Sequence, residues 1–369
     1  MPTDQARTPR VGQSHSAMAA EPNAWQKIDG TVTILVTLIG WSSVPLFLKF
    51  FADKHIDFWT SNGWRYGFSA LLWLPVIVIG LTNRTLPKRV WKLALIPAMI
   101  NAGSQILFTW AHYKISPGLL TFGLRSNIVF AAIGAAIFFA AERKVIGIPE
   151  YLLGILLVIL GTTGTVVLGS EPLVGATLGG VLLAVGAGAG FAAYALSVRH
   201  FMQGINAIRS FSVISLYTAA VMVTLMVVFG EQQGMSAINK LSASQFVWLL
   251  VSAVIGIALG HVFYYHSINR LGLAISSGVV QLQPVFVSIA SFYFYGEVLS
   301  MEQWQAGLIS VFGAVLVLWC KQLTRRRDPW KMHGIASSTS ARATTVSDEA
   351  VMIEITETVT DACAETAAS

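Results

Sequence analysis

Charged residues are scarce in this chain. Asp, Glu, Lys and Arg together make up 11% of its 369 residues, whereas hydrophobic residues make up 54%. A soluble domain carries about 25% charged residues, so the composition excludes an ordinary soluble protein and indicates a membrane protein. The apolar segments are long and continuous, which excludes the alternating strands of a membrane β-barrel.

Cysteine is nearly absent as well. The sequence holds only Cys320 and Cys363, which give neither a disulfide framework nor the spacing of a metal site. No loop carries the pattern of a phosphate-binding P-loop, and the basic residues are dispersed over loops instead of forming a nucleic-acid patch. Residues 1–26 lack the apolar core of a cleavable signal peptide. No cofactor, metal or nucleic acid is therefore expected.

Ten segments are long and apolar enough to cross a bilayer, which takes about 20 residues for each helix. The predicted segments are 31–51, 58–80, 91–113, 118–140, 151–169, 177–198, 211–230, 246–265, 274–295 and 304–320. The sequence therefore predicts an all-α membrane protein with ten transmembrane helices. Most of the 24 Lys and Arg residues lie on one side when the N-terminus is placed in the cytoplasm. Because basic residues accumulate on the cytoplasmic side, both termini are expected there, in a plasma (bacterial inner) membrane.

Two stretches of the chain resemble each other. Residues 110–116 precede an apolar run that ends near Glu142, and residues 266–272 precede one that ends near Glu297. Each copy reads as a helix, a short turn, a second helix and a glutamate. If each half holds five spans, the copies face opposite sides, which is typical of inverted-repeat transporters. Glu142 is then expected on the inner side and Glu297 on the outer side.

This ordered set resembles the drug/metabolite transporter superfamily of the EamA-like type. The resemblance rests on Gly-Trp-Ser-Ser at residues 40–43, on Arg65 early in the second helix and on the two helix–turn–helix–glutamate units. It implies two inverted five-helix repeats, a central cavity and alternating access, but no substrate. The expected repeats are residues 30–170 and 176–321, and residues 1–29 and 322–369 are expected to be disordered cytoplasmic tails. Pro284 of helix nine is matched by Val129 in helix four, so helix four is expected to be the straighter of the two.

Arg125 is the most informative polar residue inside the predicted spans. It lies eight residues after Pro117, or roughly 12 Å into the bilayer at the rise of an α-helix. All 18 Asp and Glu residues fall in tails, loops or helix ends, so the sequence shows no counter-ion for it. One interpretation is that Arg125 binds a carboxylate or phosphate of the substrate. The other is that it binds backbone carbonyl groups and is structural. For Arg65 a structural or outer-gate role is favoured.

A polar stripe runs along helix three. Asn101 and Gln105 are one helical turn apart and share a face, which should point into the bundle because lipid cannot satisfy polar groups. Gln105 corresponds to His261 in the second repeat. The alternative is hydrogen bonding between helices, worth about 0.6 kcal/mol on average. The expected substrate-binding residues are Trp41, Ser42, Asn101, Gln105, Trp110, Arg125, His261, Tyr265 and Gln281, with Arg65 and Pro284 as gate or structural residues.

The function expected from these features is transport of a small metabolite by alternating access, as efflux or exchange. The metabolite would carry a carboxylate or be a zwitterion such as an amino acid. Export of cationic drugs is the alternative. An intramembrane enzyme is disfavoured because the sequence has no Ser–His dyad, paired aspartates or H-E-x-x-H helix. The expected partners are the substrate, the lipid bilayer and a second copy of the chain.

The charge bias predicts the side of the membrane on which the chain ends. A reporter that fluoresces only in the cytoplasm should be bright when it is fused after Cys320. The matched control is a fusion at Lys54, in a segment expected outside, which should be dark. A periplasmic signal after Cys320 would contradict both the orientation and the ten-helix count.

Overall fold

The computed structural model of this protein describes residues 29–138, 143, 147–169, 176–202, 205–271 and 273–327. The two tails beyond residues 29 and 327 lie outside the described residues, as does Glu142. Within the described ranges the chain is entirely helical. It contains ten helices long and apolar enough to cross a membrane, which confirms the all-α prediction.

Six helices run without interruption and four are built from shorter pieces. The continuous ones are α1 (Gly30–Asp53), α2 (Phe58–Thr82), α5 (Pro149–Val167), α6 (Ala176–Phe201), α7 (Ala207–Phe229) and α10 (Met301–Arg327). The composite ones are α3 (Arg89–Leu93 and Leu95–Ala111), α4 (α4a, Pro117–Gly123; α4b, Ser126–Phe138), α8 (Ala243–Ala253, a π-helical turn at Val254–Leu259, and Gly260–Leu271) and α9 (α9a, Leu273–Val280; α9b, Gln283–Tyr295). A 3₁₀ turn (Glu231–Gly234) and a short helix (Ser236–Lys240) connect α7 to α8.

Helix starts are set by short polar residues that satisfy free backbone N–H groups. The Asp57 carboxylate accepts from the Thr60 N–H at 2.9 Å and from the N–H of Glu231 at 3.0 Å, so one residue caps α2 and anchors the α7–α8 connection. At the start of α8, Ser242 and Gln245 form a reciprocal capping box. Both caps lie on one side of the bundle, the side on which α1 ends and α2 and α8 begin. We call this side the Asp53 face.

Helix packing has the symmetry of two repeats. Helix α2 packs on α7, α5 on α10 and α4a on α9b, each a contact between a helix and its counterpart five positions later. The pair α3–α6 has its counterpart in the pair α8–α1, and α6–α4b has its counterpart in α1–α9b. Because five is an odd number of spans, the second repeat runs through the membrane in the opposite direction to the first.

The contact between α5 and α10 depends on the absence of a side chain at Gly161. A Cβ atom there would lie 2.3 Å from the backbone nitrogen of Ser310. The close approach also lets the hydroxyl groups of Thr162 and Ser310 hydrogen-bond at 3.0 Å. Small residues that allow such contact are the usual basis of helix association in membranes.

The expectation that helix four would be the straighter one is wrong. Helix α4 breaks between Gly123 and Ser126, where the backbone forms a 3₁₀ turn: Arg125 N donates to Phe122 O at 2.9 Å and Asn127 N donates to Leu124 O at 3.0 Å. The turn leaves the carbonyl group of Thr121 without its α-helical donor. The Nε atom of Arg125 donates to that oxygen at 3.3 Å, so an arginine side chain permits a break that needs no proline.

Helix α9 breaks at the matching place. Gln281 N donates to Gly278 O at 3.1 Å and Leu282 N donates to Val279 O at 3.0 Å, which repeats the 3₁₀ geometry of α4. Pro284 lies in the first turn of α9b, where a missing N–H costs little. The proline therefore marks the restart of the helix rather than an asymmetry between the repeats.

The α5–α10 contact leads to a stability prediction. Gly161→Ala should lower the melting temperature of the detergent-purified protein, because overpacking a close contact typically costs about 1–3 kcal/mol. Gly103→Ala is the matched control, since a Cβ at Gly103 would meet nothing within 4 Å and alanine favours a helix over glycine by about 1 kcal/mol. Equal melting temperatures for the two variants would contradict the packing argument.

Candidate functional site

The breaks in α4 and α9 bring Arg125 against two glutamine side chains. Arg125 Nη1 donates to Gln281 Oε1 at 2.7 Å, and Nη2 donates to Gln283 Oε1 at 3.2 Å. All three residues are buried. Arg125 and Gln281 occupy the two breaks themselves, and Gln283 is the first residue of α9b, so the fold places all three at the centre of the bundle.

Gln283 extends these contacts to α1. Its Nε2 atom donates to the backbone oxygen of Trp41 at 2.9 Å. That oxygen is available because Pro45, four residues later within α1, has no N–H to offer it. A chain of hydrogen bonds thus joins α1, α4 and α9. We call this set, comprising Arg125, Gln281, Gln283 and the Trp41 carbonyl group, the Arg125 network.

The charge of Arg125 is not balanced within the network. Its three acceptors are two amide oxygens and the Thr121 carbonyl oxygen, all neutral. A guanidinium group carries five N–H donors, so two of them remain after these bonds. Among the described residues no carboxylate bonds Arg125. The network is therefore a positively charged centre with unused donors.

Trp41 also ties α1 to α8. Its indole Nε1 donates to the backbone oxygen of Gly256 at 3.2 Å, inside the π-helical turn of α8. A Cβ atom at Gly260 would lie 2.2 Å from that indole nitrogen, so the glycine makes room for the ring. The backbone of Trp41 thus belongs to the Arg125 network, and its ring packs against α8.

His261 lies in a cluster of aromatic rings beside Trp41. Its ring centroid is 4.6 Å from that of Phe211 in a stacked arrangement and 5.4 Å from that of Trp41, and Tyr264 lies against Trp41 at 5.1 Å. The Nδ1 atom lies 2.9 Å from the carbonyl oxygen of Ile257. A carbonyl oxygen only accepts, so Nδ1 carries the hydrogen and Nε2 is left to accept a hydrogen bond or a proton.

Arg65 lies elsewhere. Its Nε atom donates to the Ser252 hydroxyl at 3.0 Å and joins α2 to α8. The neighbouring bond from the Thr109 hydroxyl to the amide oxygen of Asn62, at 2.8 Å, joins α3 to α2. Within the described ranges no hydrogen bond links Arg65 to the Arg125 network. This placement favours the structural interpretation of Arg65.

The remaining predicted residues are scattered. Asn101 donates to the Thr218 hydroxyl at 3.2 Å, which is a contact between α3 and α7. Trp110 is 39% exposed and stacks on Phe58 at 5.3 Å, on the Asp53 face. These two side chains therefore contact other helices rather than the Arg125 network.

Three further predicted residues differ in how they are placed. Gln105 is half-buried on α3, and among the described residues no hydrogen bond joins it to His261. The hydroxyl group of Ser42 is buried in α1 and has no hydrogen-bond partner within the described ranges. The side chain of Tyr265 lies outside those that the structure describes.

Sequence reasoning missed Gln283. The available signal was the sequence Gln-Leu-Gln-Pro at residues 281–284, in which two amides flank a helix break marked by proline. Had the break been placed there, both glutamines would have been expected at the centre of the bundle.

Comparison with known proteins gives the family. The EamA-like transporter family matches residues 29–167 and 178–319, which together cover well over half of the chain. No curated protein matches it. Solved structures do match, 27 chains in all. One of them, described as a crystal structure of a protein, is 18% identical with a TM-score of 0.52, and the alignment covers 80% of this chain and 98% of that chain. At that identity the likeness concerns the fold alone.

The two matched segments correspond to α1–α5 and α6–α10, the same halves that the helix contacts relate to each other. Ten candidate spans, helix breaks at matching places and a family match in both halves agree with one another. This integral membrane protein belongs to the EamA-like transporter family.

Proposed function

We propose that this drug/metabolite transporter moves a small metabolite that carries a carboxylate, either an organic anion or a zwitterion such as an amino acid. The observation that carries the proposal is Arg125, a buried cation whose hydrogen-bond partners among the described residues are all neutral. Transport proceeds by alternating access, as efflux or exchange. The Asp53 face is external, both tails are cytoplasmic, and the membrane is the bacterial inner membrane. Pairing with a second copy of the chain remains a prediction.

The energetic argument concerns charge in a membrane. A single charge near the bilayer centre costs about 2.5–3.5 kcal/mol on insertion scales, and such residues usually mark substrate or ion pathways. The neutral acceptors around Arg125 satisfy hydrogen bonds but do not remove its charge. A substrate carboxylate would do both, and its two oxygens match the paired N–H groups of a guanidinium.

The location of Arg125 gives a way for binding to alter the bundle. Substrate sites of inverted-repeat transporters lie at discontinuous helices near the midplane, and Arg125 stands at such a break. A carboxylate bound there would compete with Gln281 and Gln283 for the guanidinium N–H groups. Because those glutamines belong to the second repeat, substrate binding would change the contact between the repeats. A ligand shifts a conformational equilibrium only through such differential contacts.

Export of cationic drugs is favoured by a different observation, the rings around His261. Trp41, Phe211 and Tyr264 could hold a cation by cation–π attraction. A bound cation would also have to tolerate the nearby charge of Arg125, which connects to Trp41 through Gln283. The anionic or zwitterionic substrate therefore remains the preferred proposal.

The role of Arg125 can be tested by its neutral variant. Arg125→Gln should weaken substrate transport in proteoliposomes about ten- to a hundredfold, because losing a charge-assisted hydrogen bond costs about 1.5–3 kcal/mol. Arg143→Gln is the control, since Arg143 is exposed and, among the described residues, bonds carbonyl groups of its own repeat, those of Ala136 and Ile137. Normal transport by a monodisperse Arg125→Gln protein, or binding of cations alone by the wild type, would overturn the proposal.

His261 is the candidate proton carrier, because among the described residues its Nε2 atom forms no hydrogen bond. Histidine is a common proton shuttle in proteins, and the sequence offers no carboxylate in the middle of a span. His261→Gln should abolish uptake driven by a pH gradient while leaving substrate exchange intact. Glutamine retains a polar side chain of similar length but cannot titrate. Gradient-driven uptake at the wild-type rate in this variant would exclude His261 as the carrier.

A further inference from the structure

A cavity of about 400 Å³ opens on the Asp53 face, away from the Arg125 network. Its walls come from the α3–α4 turn, the start of α4a, the ends of α5 and α9b, and the start of α10. The polar side chains used below are Lys114, Ser288, Ser291 and Glu297. Pockets for small molecules generally measure about 300–1,000 Å³, so this one suits a ligand at the small end of that range.

Two opposite charges line the cavity. Lys114 projects from the α3–α4 turn and Glu297 from the connection between α9b and α10. Within the described part of the chain they form no ion pair with each other, and the ammonium group of Lys114 makes no hydrogen bond. Each charge is therefore available to a ligand that reaches both.

Glu297 is prepared to hold a cation. The Ser291 hydroxyl donates to its Oε2 atom, which orients the carboxylate, and Oε1 accepts no hydrogen bond from the residues that the structure describes. Partial burial raises the pKa of Glu297, and the hydrogen bond from Ser291 and the charge of Lys49 oppose that rise. A partly buried carboxylate whose surroundings on balance disfavour its charge gains from an ammonium ligand, because a nearby opposite charge favours its ionised form.

The floor of the cavity is the contact between α4a and α9b. A Cβ atom at Gly118 would lie 2.7 Å from the Ser288 hydroxyl, so the two helices touch there. That hydroxyl is buried and has no hydrogen-bond partner in the part of the chain that the structure describes, and its residue lines the cavity. Arg125 follows Gly118 by about two helical turns, roughly 10 Å further into the membrane. The cavity and the Arg125 network thus lie along the same two helices, α4 and α9, at different depths in the membrane.

We infer that this cavity is a binding site for a small zwitterion, whose ammonium group contacts Glu297 and whose carboxylate contacts Lys114. The Ser288 hydroxyl supplies an unused polar group at the floor. A simple anion would be repelled by Glu297 and a simple cation by Lys114, so a ligand with both charges fits best. That the cavity binds a zwitterion does not depend on the proposed function. That this binding is an early or late step of transport, on the outer side, rests on the proposed function.

Ligands that differ only in charge test the site. The melting temperature of purified wild-type protein is measured with millimolar glycine, L-leucine or L-glutamine, since a ligand that binds the folded state stabilises it. For leucine, 4-methylpentanoate lacks the ammonium group and 3-methylbutylamine lacks the carboxylate. We expect at least one amino acid to raise the melting temperature and both leucine analogues to have much smaller effects. No shift with any amino acid, or equal shifts with the analogues, would overturn the proposal.

Variants then assign the binding to this cavity. Glu297→Gln and Lys114→Met should each weaken amino-acid binding about tenfold or more, the effect of losing one charge-assisted bond. Glu302→Gln and Lys54→Met are matched controls on the same face, because neither residue lines the cavity. Exchanging the charges, with Lys114→Glu and Glu297→Lys together, should restore part of the binding. Binding as weak in that double variant as in the single ones would contradict recognition by charge.

The two proposals fail separately. Normal transport by Arg125→Gln would overturn the role of Arg125 and leave the cavity unaffected. Equal amino-acid shifts in wild type and Glu297→Gln would overturn the cavity site and leave the role of Arg125 unaffected.

Discussion

The constraint on which this structure depends is that a backbone polar group inside a bilayer must find a partner within the protein. Each interruption of a helix leaves a carbonyl group without its donor. At the α4 break, Arg125 Nε takes over the Thr121 oxygen, and in α1, Gln283 Nε2 takes over the Trp41 oxygen that Pro45 leaves free. At both places a buried polar side chain completes the backbone.

The hydrogen bond that completes the backbone of α4 also brings a positive charge to the site. A neutral side chain would have sufficed to satisfy a carbonyl group, and Gln283 shows this in α1. At the α4 break the donor is a guanidinium, which adds a positive charge and four further N–H groups to what the backbone requires, and two of those four bond Gln281 and Gln283. Charge in excess of structural need, at the point where two repeats meet, is the feature that connects the fold with recognition of an anionic group.

The symmetry between the repeats is one of backbone and not of chemistry. Both α4 and α9 break into 3₁₀ turns at matching places, yet one break carries Arg125 and the other Gln281. The hydrogen bond between them, at 2.7 Å, is therefore made across the repeat interface by unlike partners. A movement that separates α4 from α9 has to stretch or exchange this bond.

The sequence by itself determined the ten spans, the two repeats, the family and the isolation of Arg125 from carboxylates, because hydropathy, charge and motif order are local properties of the chain. Only the tertiary structure decided which groups meet. It paired Arg125 with glutamines 156 and 158 residues away, turned Asn101 towards Thr218 and broke α4 where no proline marks the place. Hydrogen-bond partners depend on which helix faces pack together, and helical periodicity defines those faces without saying what lies opposite them.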